Sequence, residues 1–342
     1  MVAALAREIG LRHGEMPAGP WTSVYLGGGT PSLLSPKQVG ALLDAARTAR
    51  PLAPDAEVTL EANPDDLDAA TLAAFARTEV NRLSIGLQSF RDADLRFMGR
   101  AHDAAQAAAC LTAARAAGFA DLTVDLIYGT PGLDDAAWRQ NLTRVTAAGV
   151  PHVSAYALTV EPRTALAHDI ARGRIAPLDE EQAARQMEIL VDVLVGAGYE
   201  HYEVSNFALP GHRARHNSGY WRGGAYLGVG PSAHSFDGGR VRSWNVRHNA
   251  RYVRAIEAGE LPVEREELSD RDRYHELVLT RLRTAWGVGL GEVEALGFAE
   301  HFLAEVAAPL AAGWVERRGD TFALTRAGRM RADGVSAGLF AV

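Results

Sequence analysis

Polar groups recur where apolar runs end: the bare backbone of Gly27-Gly28-Gly29-Thr30-Pro31, then Glu61, Gln88 and Asp125. Glycines without side chains let backbone N–H groups come close to a carboxylate or phosphate. Glu61 and Asp125 lie among apolar neighbours, where an unpaired carboxylate is costly, so together they imply a cation or polar ligand. Arg100, in MGRAHD, can supply positive charge for a ligand carboxylate. Singly, each has a plain reading: a turn, a solvated carboxylate or helix cap, a surface arginine.

The apolar runs must position these groups. They are VYLGGGTPS (24–32), VTLEANPDD (58–66), RLSIGLQSF (82–90), LTVDLIYGTPG (122–132) and VSAYALTVEP (153–162). Helical stretches lie between them. Residues 36–49 follow Ser35, an N-cap with proline at the first helical position, and place apolar residues at 39, 42, 43 and 46 on one face. Residues 68–78, 103–117, 134–148 and 179–197 start on an aspartate, and the last three stop at glycine. Alternation of strand and helix predicts an α/β fold with parallel strands and right-handed crossovers, and a βα barrel builds its site at such strand ends. Pattern alone leaves a barrel, an open barrel and a doubly wound sheet as choices.

The 342 residues suffice for one large domain and a smaller one. A net charge of -7 argues against nucleic acid as partner. With no long apolar span and no signal-peptide pattern, the expected compartment is cytoplasmic. The single cysteine, Cys110, lies among helix formers and reads as a buried apolar residue; it cannot form an internal disulfide.

The expected organisation is a barrel over 1–200, an irregular segment over 201–262 and a C-terminal domain over 263–342. Residues 201–250 are rich in Gly, His, Asn, Arg and aromatics and show no helical period, and long irregular segments tend to be functional. Near the carboxyl end, two β-prone runs flank Gly319-Asp320 and a last helix opens at Thr325, a winged-helix-like pattern. Its arginines (317, 318, 326, 329, 331) read as a solvated structural cap.

YLGGGTPSLLS, LEANPDDL, NRLSIGLQSF with MGRAH, and VDLIYGTPG occur in the order found in the radical S-adenosylmethionine proteins related to oxygen-independent coproporphyrinogen III oxidase, which the chain resembles over nearly its whole length. YEVSNFA, RHNSGYW and GVGPSAHSF extend the resemblance, and HNSGYW fits the HNxxYW signature of the HemW branch, the haem chaperones. The resemblance implies an open, partial TIM-type βα barrel with S-adenosylmethionine across its C-terminal mouth. By matching position, Gly28, Gly29 and Thr30 take its methionine amino end, Glu61 its ribose or amine, and Gln88, Arg100 and Asp125 contact it further.

It also implies a haem site. His216 offers an imidazole to iron, Tyr220 and Trp221 a flat apolar surface, and Asn217 a hydrogen bond. His212 is a second candidate ligand and His234 a weaker one, while Arg213, Arg215 and Arg222 can pair with propionates. Haem-accepting proteins are the expected partners, with a membrane-bound acceptor left open.

One departure is large. The family carries CxxxCxxC after its first strand, where three thiolates hold a [4Fe-4S] cluster and leave one iron for S-adenosylmethionine. This sequence has no such motif, and residues 1–13 resemble the first barrel helix, so the first strand and its loop are expected to be missing, by truncation or a wrong start rather than by loss. Cys110 cannot replace three ligands. The expected function is haem binding and transfer; the rivals are an oxygen-independent coproporphyrinogen III oxidase and a degenerate ligand-binding barrel.

Overall fold

A computed structural model describes residues 1–341. Its principal helices are α1 (Val2–Arg12), α2 (Pro36–Ala49), α3 (Ala69–Phe75), α4 (Asp92–Phe97), α5 (Ala104–Ala116), α6 (Asp135–Ala147), α7 (Ala165–Ala171), α8 (Glu180–Gly196), α9 (Arg215–Trp221), α10 (Asn249–Ala258) and α11 (Asp270–Leu282). Strands β1 (Trp21–Leu26), β2 (Leu52–Ala62), β3 (Arg82–Gln88), β4 (Asp121–Tyr128), β5 (His152–Ala157), β6 (Glu200–Glu203) and β7 (Asn206–Ala208) form one sheet in the order β1-β2-β3-β4-β5-β7-β6. Each of β1 to β5 overlaps one of the five apolar runs. Pairing is parallel from β2 through β5, as an open βα barrel requires. It then reverses, because β7 runs antiparallel to β5 and to β6.

The chain divides into two compact units. One comprises Leu26–Leu33 and Thr59–Arg213; the other comprises Met1–Tyr25, Leu34–Val58 and the chain from Ala214 on.

In the first unit, alternation along the strands separates two faces. Leu60, Leu83, Ile85, Leu87, Leu122, Val124, Leu126 and Val153 are fully buried and form the apolar core. The alternate positions carry Glu61, Ser84, Gln88, Thr123, Asp125 and Ser154. Register sets Glu61 beside Ser84, Ser84 beside Thr123, and Asp125 beside Ser154. The second face is therefore polar, and one sheet holds its core on one side and its chemistry on the other. The helices start as the sequence indicates: Asp68, Asp103, Asp134 and Asp179 each accept a backbone N–H from the first turn. Cys110 is 3% exposed on α5.

The second unit contains α2, opened by the Ser35/Gln38 capping box, and two small antiparallel sheets. Strands β8 (His234–Phe236), β9 (Val241–Asn245) and β10 (Val263–Glu267) form one, in the order β10-β9-β8. Its inner face carries a buried polar network. Glu8 and Arg12 of α1, both fully buried, pair at 2.9 Å, and Arg12 also donates to Ser235 and Ser243. Asn245 and Tyr252 donate to Glu8, so both charges are hydrogen-bonded as burial demands. Strands β11 (Val288–Gly289), β12 (Val315–Arg318) and β13 (Thr321–Leu324) form the winged-helix-like sheet, with the hairpin across Gly319-Asp320 where the sequence places it. Thr325 caps the helix that follows. Arg317 and Arg331 lie over Phe322 and Trp314.

Within 201–250, where the sequence shows no helical period, the chain forms α9. Its seven residues are too few to show a period, and its N-terminus has no local side-chain cap. No helix among the described residues is long and apolar enough to cross a membrane.

Candidate functional site

The first unit gathers Glu61, Gln88, Arg100 and Asp125 at the carboxyl ends of its strands. The Gly28 N–H donates to Glu61 Oε2 at 3.1 Å, which ties the glycine loop to the end of β2. Gly28 has φ +80°, and open space faces both it and Gly29, so the loop backbone is accessible. Thr30 is exposed and its carbonyl accepts the Leu33 N–H at 3.1 Å.

Gln88 is 6% exposed with φ +67°, a left-handed conformation that is unfavourable for a residue with a side chain. It coincides with a break in the β3–β4 register. Strain of this kind persists where the surroundings enforce it, here at the strand end. Gly86 explains how three side chains converge: a Cβ there would meet Gln88 Nε2 at 3.1 Å, Asn63 Oδ1 at 3.5 Å and an Arg100 nitrogen at 3.6 Å. Arg100 donates to Asn63 at 3.5 Å. Burial pulls its guanidinium below the usual arginine range, against the attraction of Asp125 and Asp65.

Asp125 keeps some exposure at the open strand ends but is enclosed by protein on its other sides. Burial, and then the nearby Glu61 charge, push its carboxyl up to about 7. Ser154 and Arg100 act in the opposite sense. Ser154 also donates to Asn206 Oδ1 at 2.8 Å. Asn206 in turn donates to the buried Glu203, which extends a polar chain behind Asp125. Two carboxyl groups, one half-protonated near neutrality, make a site that favours a cation. Asn63, Gly86, Ser154 and Asn206 carry no site signal of their own; ANPDD, RLSIGLQSF, VSAYALTVEP and YEVSNFA place them at the site only once the register is known.

The second unit holds HNSGYW on α9. Its N-terminus is capped from β2: Glu57, 5% exposed, accepts the Arg215 and His216 N–H groups, each at 2.9 Å. A carboxylate there satisfies two otherwise unpaired donors and complements the helix dipole. Arg215 also pairs with Asp55, and its side chain is committed to that structural contact.

His216 is engaged at both ring nitrogens, Nδ1 with Ser23 Oγ at 2.8 Å and Nε2 with the Tyr220 hydroxyl at 2.8 Å. Burial pushes the Tyr220 phenol up to about 12, so it keeps its proton. Burial also holds the imidazole below the usual histidine range, against the Glu57 charge. His216 stacks on Tyr25 at 4.9 Å, Tyr220 meets Tyr226 edge-on at 4.6 Å, and Tyr226 packs on Phe236 at 6.4 Å. The result is a ladder of rings. Trp221 lies under Arg283, and Arg222 lies over Trp286. Asn217 is half-buried on the same helix.

His212 belongs to the first unit, where its Nδ1 lies 2.6 Å from Asp121 Oδ1; Arg213 pairs there with Glu200.

The residues present do not fit a [4Fe-4S] cluster. Cys110, the one cysteine in the sequence, has its thiol pushed up to about 12 by burial, which opposes the thiolate that iron needs. Among the described residues no group of three or more His, Cys, Asp or Glu could hold a metal ion. The strand-end set, by contrast, suits a ligand carrying a cation and an α-amino acid head.

Comparison with known proteins bears on both regions. The model of the radical SAM superfamily matches residues 6–145, and that of the HemN C-terminal domain matches residues 268–331. Heme chaperone HemW of Mycobacterium tuberculosis (strain H37Rv) is 42% identical over 333 residues, covering 97% of this chain and 84% of that protein. Heme chaperone HemW of Lactococcus lactis is 35% identical over 266 residues, covering 78% and 70%. Coproporphyrinogen III oxidase (HemN) from Escherichia coli, a radical SAM enzyme, superposes with a TM-score of 0.82 at 23% identity, covering 98% of this chain and 82% of that one, a likeness of fold.

Proposed function

Because the chain belongs to the HemW family of the radical SAM superfamily, we propose that it binds haem and passes it to acceptor proteins, in the cytoplasm. The observation that carries this reading is the ring ladder on α9, where the family signature HNSGYW contributes His216 and Tyr220 to a run of aromatic rings through Tyr25, Tyr226 and Phe236. Aromatic rings with polar tips suit a porphyrin, and Asn217 and Trp221 lie on the same helix.

In this reading the strand-end site holds S-adenosylmethionine. Gly28, Gly29 and Thr30 offer backbone to the methionine head, Glu61 binds the ribose or amine, and Gln88, Arg100 and Asp125 complete the shell. The ligand supplies a sulfonium when bound. Asp125 holds a proton near neutrality and gives it up as positive charge arrives.

The test is a haem titration followed by transfer. A saturable Soret change, then loss of the bound haem to a haem-free acceptor protein, supports the chaperone reading. Failure to bind haem sinks it and favours a ligand-binding barrel. Vinyl-group formation from coproporphyrinogen under anaerobic conditions, by a version with CxxxCxxC supplied, would replace it with an oxidase.

A further inference from the structure

The cavity on the outer face of the β8–β10 sheet is not used by anything described so far. It is open to solvent, has a volume of about 450 Å³ and is lined by residues that include Tyr226, His234, Arg242, Trp244, Arg247 and Glu266. That volume lies within the usual range for small-molecule and cofactor sites. Resting on the haem reading above, we infer that this face receives the porphyrin and that His234, rather than His216, is the axial ligand of its iron.

Three observations point there. The first is availability. Neither ring nitrogen of His234 has a hydrogen-bond partner among the described residues, and the side chain is exposed, tilted against Trp244 with ring centres 6.0 Å apart. His216 would have to release the Tyr220 hydroxyl before Nε2 could bind metal.

The second is a fixed backbone under a free imidazole. A Cβ on Gly228 would fall 2.0 Å from the His234 carbonyl oxygen, so only glycine permits that approach. Ser235, the next residue, accepts the Gly228 N–H at 2.9 Å and the Arg12 guanidinium at 3.2 Å, which anchors β8 to the buried network. Ser232, on the cavity wall, is held at φ +61°. Rigid support for an unengaged ligand is what a preorganised metal contact needs.

The third is continuity and charge. Tyr226 lines the cavity and is also the rung next to Tyr220, so the ladder carrying HNSGYW runs into the same surface. Of its two arginines, Arg242 is held by Glu266 and Glu276, whereas Arg247 has no ion-pair partner among the described residues. Arg247 therefore suits a propionate.

Ferric haem and metal-free protoporphyrin titrated into the full chain test the assignment. His234→Ala should remove the imidazole-ligated Soret and low-spin signature while leaving the protoporphyrin affinity within about twofold. His234→Tyr should replace that signature with one of phenolate ligation, since tyrosinate is itself a haem ligand, which keeps the test decisive if the alanine variant folds poorly. Whatever haem His216→Ala still binds should show the imidazole signature. Retention of that signature by His234→Ala, or its absence from the haem bound by a folded His216→Ala, overturns the proposal. A full chain with no saturable haem change overturns the haem reading itself, and the two failures are thereby distinct.

Discussion

The strand-end site and the α9 ladder solve opposite problems. The first concentrates charge: Glu61, Asp125 and Arg100 converge, and the cost of enclosing them appears as an Asp125 carboxyl pushed up to about 7 and strain at Gln88. The second concentrates rings, and its single buried carboxylate, Glu57, is fully used in capping a helix. One region is poised for a cation; the other is poised for a flat apolar body. Because one region works through charge and the other through aromatic rings, electrostatic changes should move one ligand and leave the other alone.

The sharpest way to break this contrast is Asp125→Ala. It should weaken S-adenosylmethionine binding about 100-fold by calorimetry, the scale of losing one partner of an enclosed charged contact. The haem titration should not change. Parallel loss of both would show that the sites are one.

Next in size, Glu57→Ala leaves the Arg215 and His216 N–H groups unpaired. Urea unfolding should report about 2–3 kcal/mol of lost stability, as for charge-assisted bonds to buried groups. Haem affinity should fall, and S-adenosylmethionine affinity should not.

The pH dependence comes third. Asp125 titrates near 7, and a cationic ligand favours its ionised form, so S-adenosylmethionine affinity should rise with pH by up to about tenfold between pH 6 and 8. The ligand-free chain should show the reverse in stability. The folded pKa lies above the ordinary carboxylate value of about 4, so the folded state binds the extra proton, and this contribution is lost as pH rises from about 4 through about 7. Asp125→Asn should flatten both curves.

The smallest effect is expected from Ser23→Ala. It removes the Nδ1 partner of His216 and should cost about 1 kcal/mol in urea unfolding. S-adenosylmethionine binding should be unaffected.

The two regions differ equally in legibility. Glu61, Gln88 and Asp125 were visible because a parallel strand places its last residues at the site, and local periodicity marks where each strand ends. Asn63 and Gly86 were hidden, since their role is to pack against Gln88 and Arg100, which no local pattern encodes. For the ladder, the motif pointed to His216 and Tyr220 but not to Ser23, Tyr25 and Glu57, which lie more than 150 residues away. A seven-residue helix capped from a distant strand leaves no periodic or capping signal in its own sequence.

The sequence by itself determined the βα alternation, the family, the glycine loop and the strand-end carboxylates. All of these are carried by neighbouring residues or by short motifs. Only the tertiary structure decided that the sheet turns antiparallel after β5, that burial beside Glu61 raises Asp125, and that His216 is engaged while His234 is free. Those properties depend on register, burial and hydrogen-bond partners drawn from remote segments, and no local pattern encodes them.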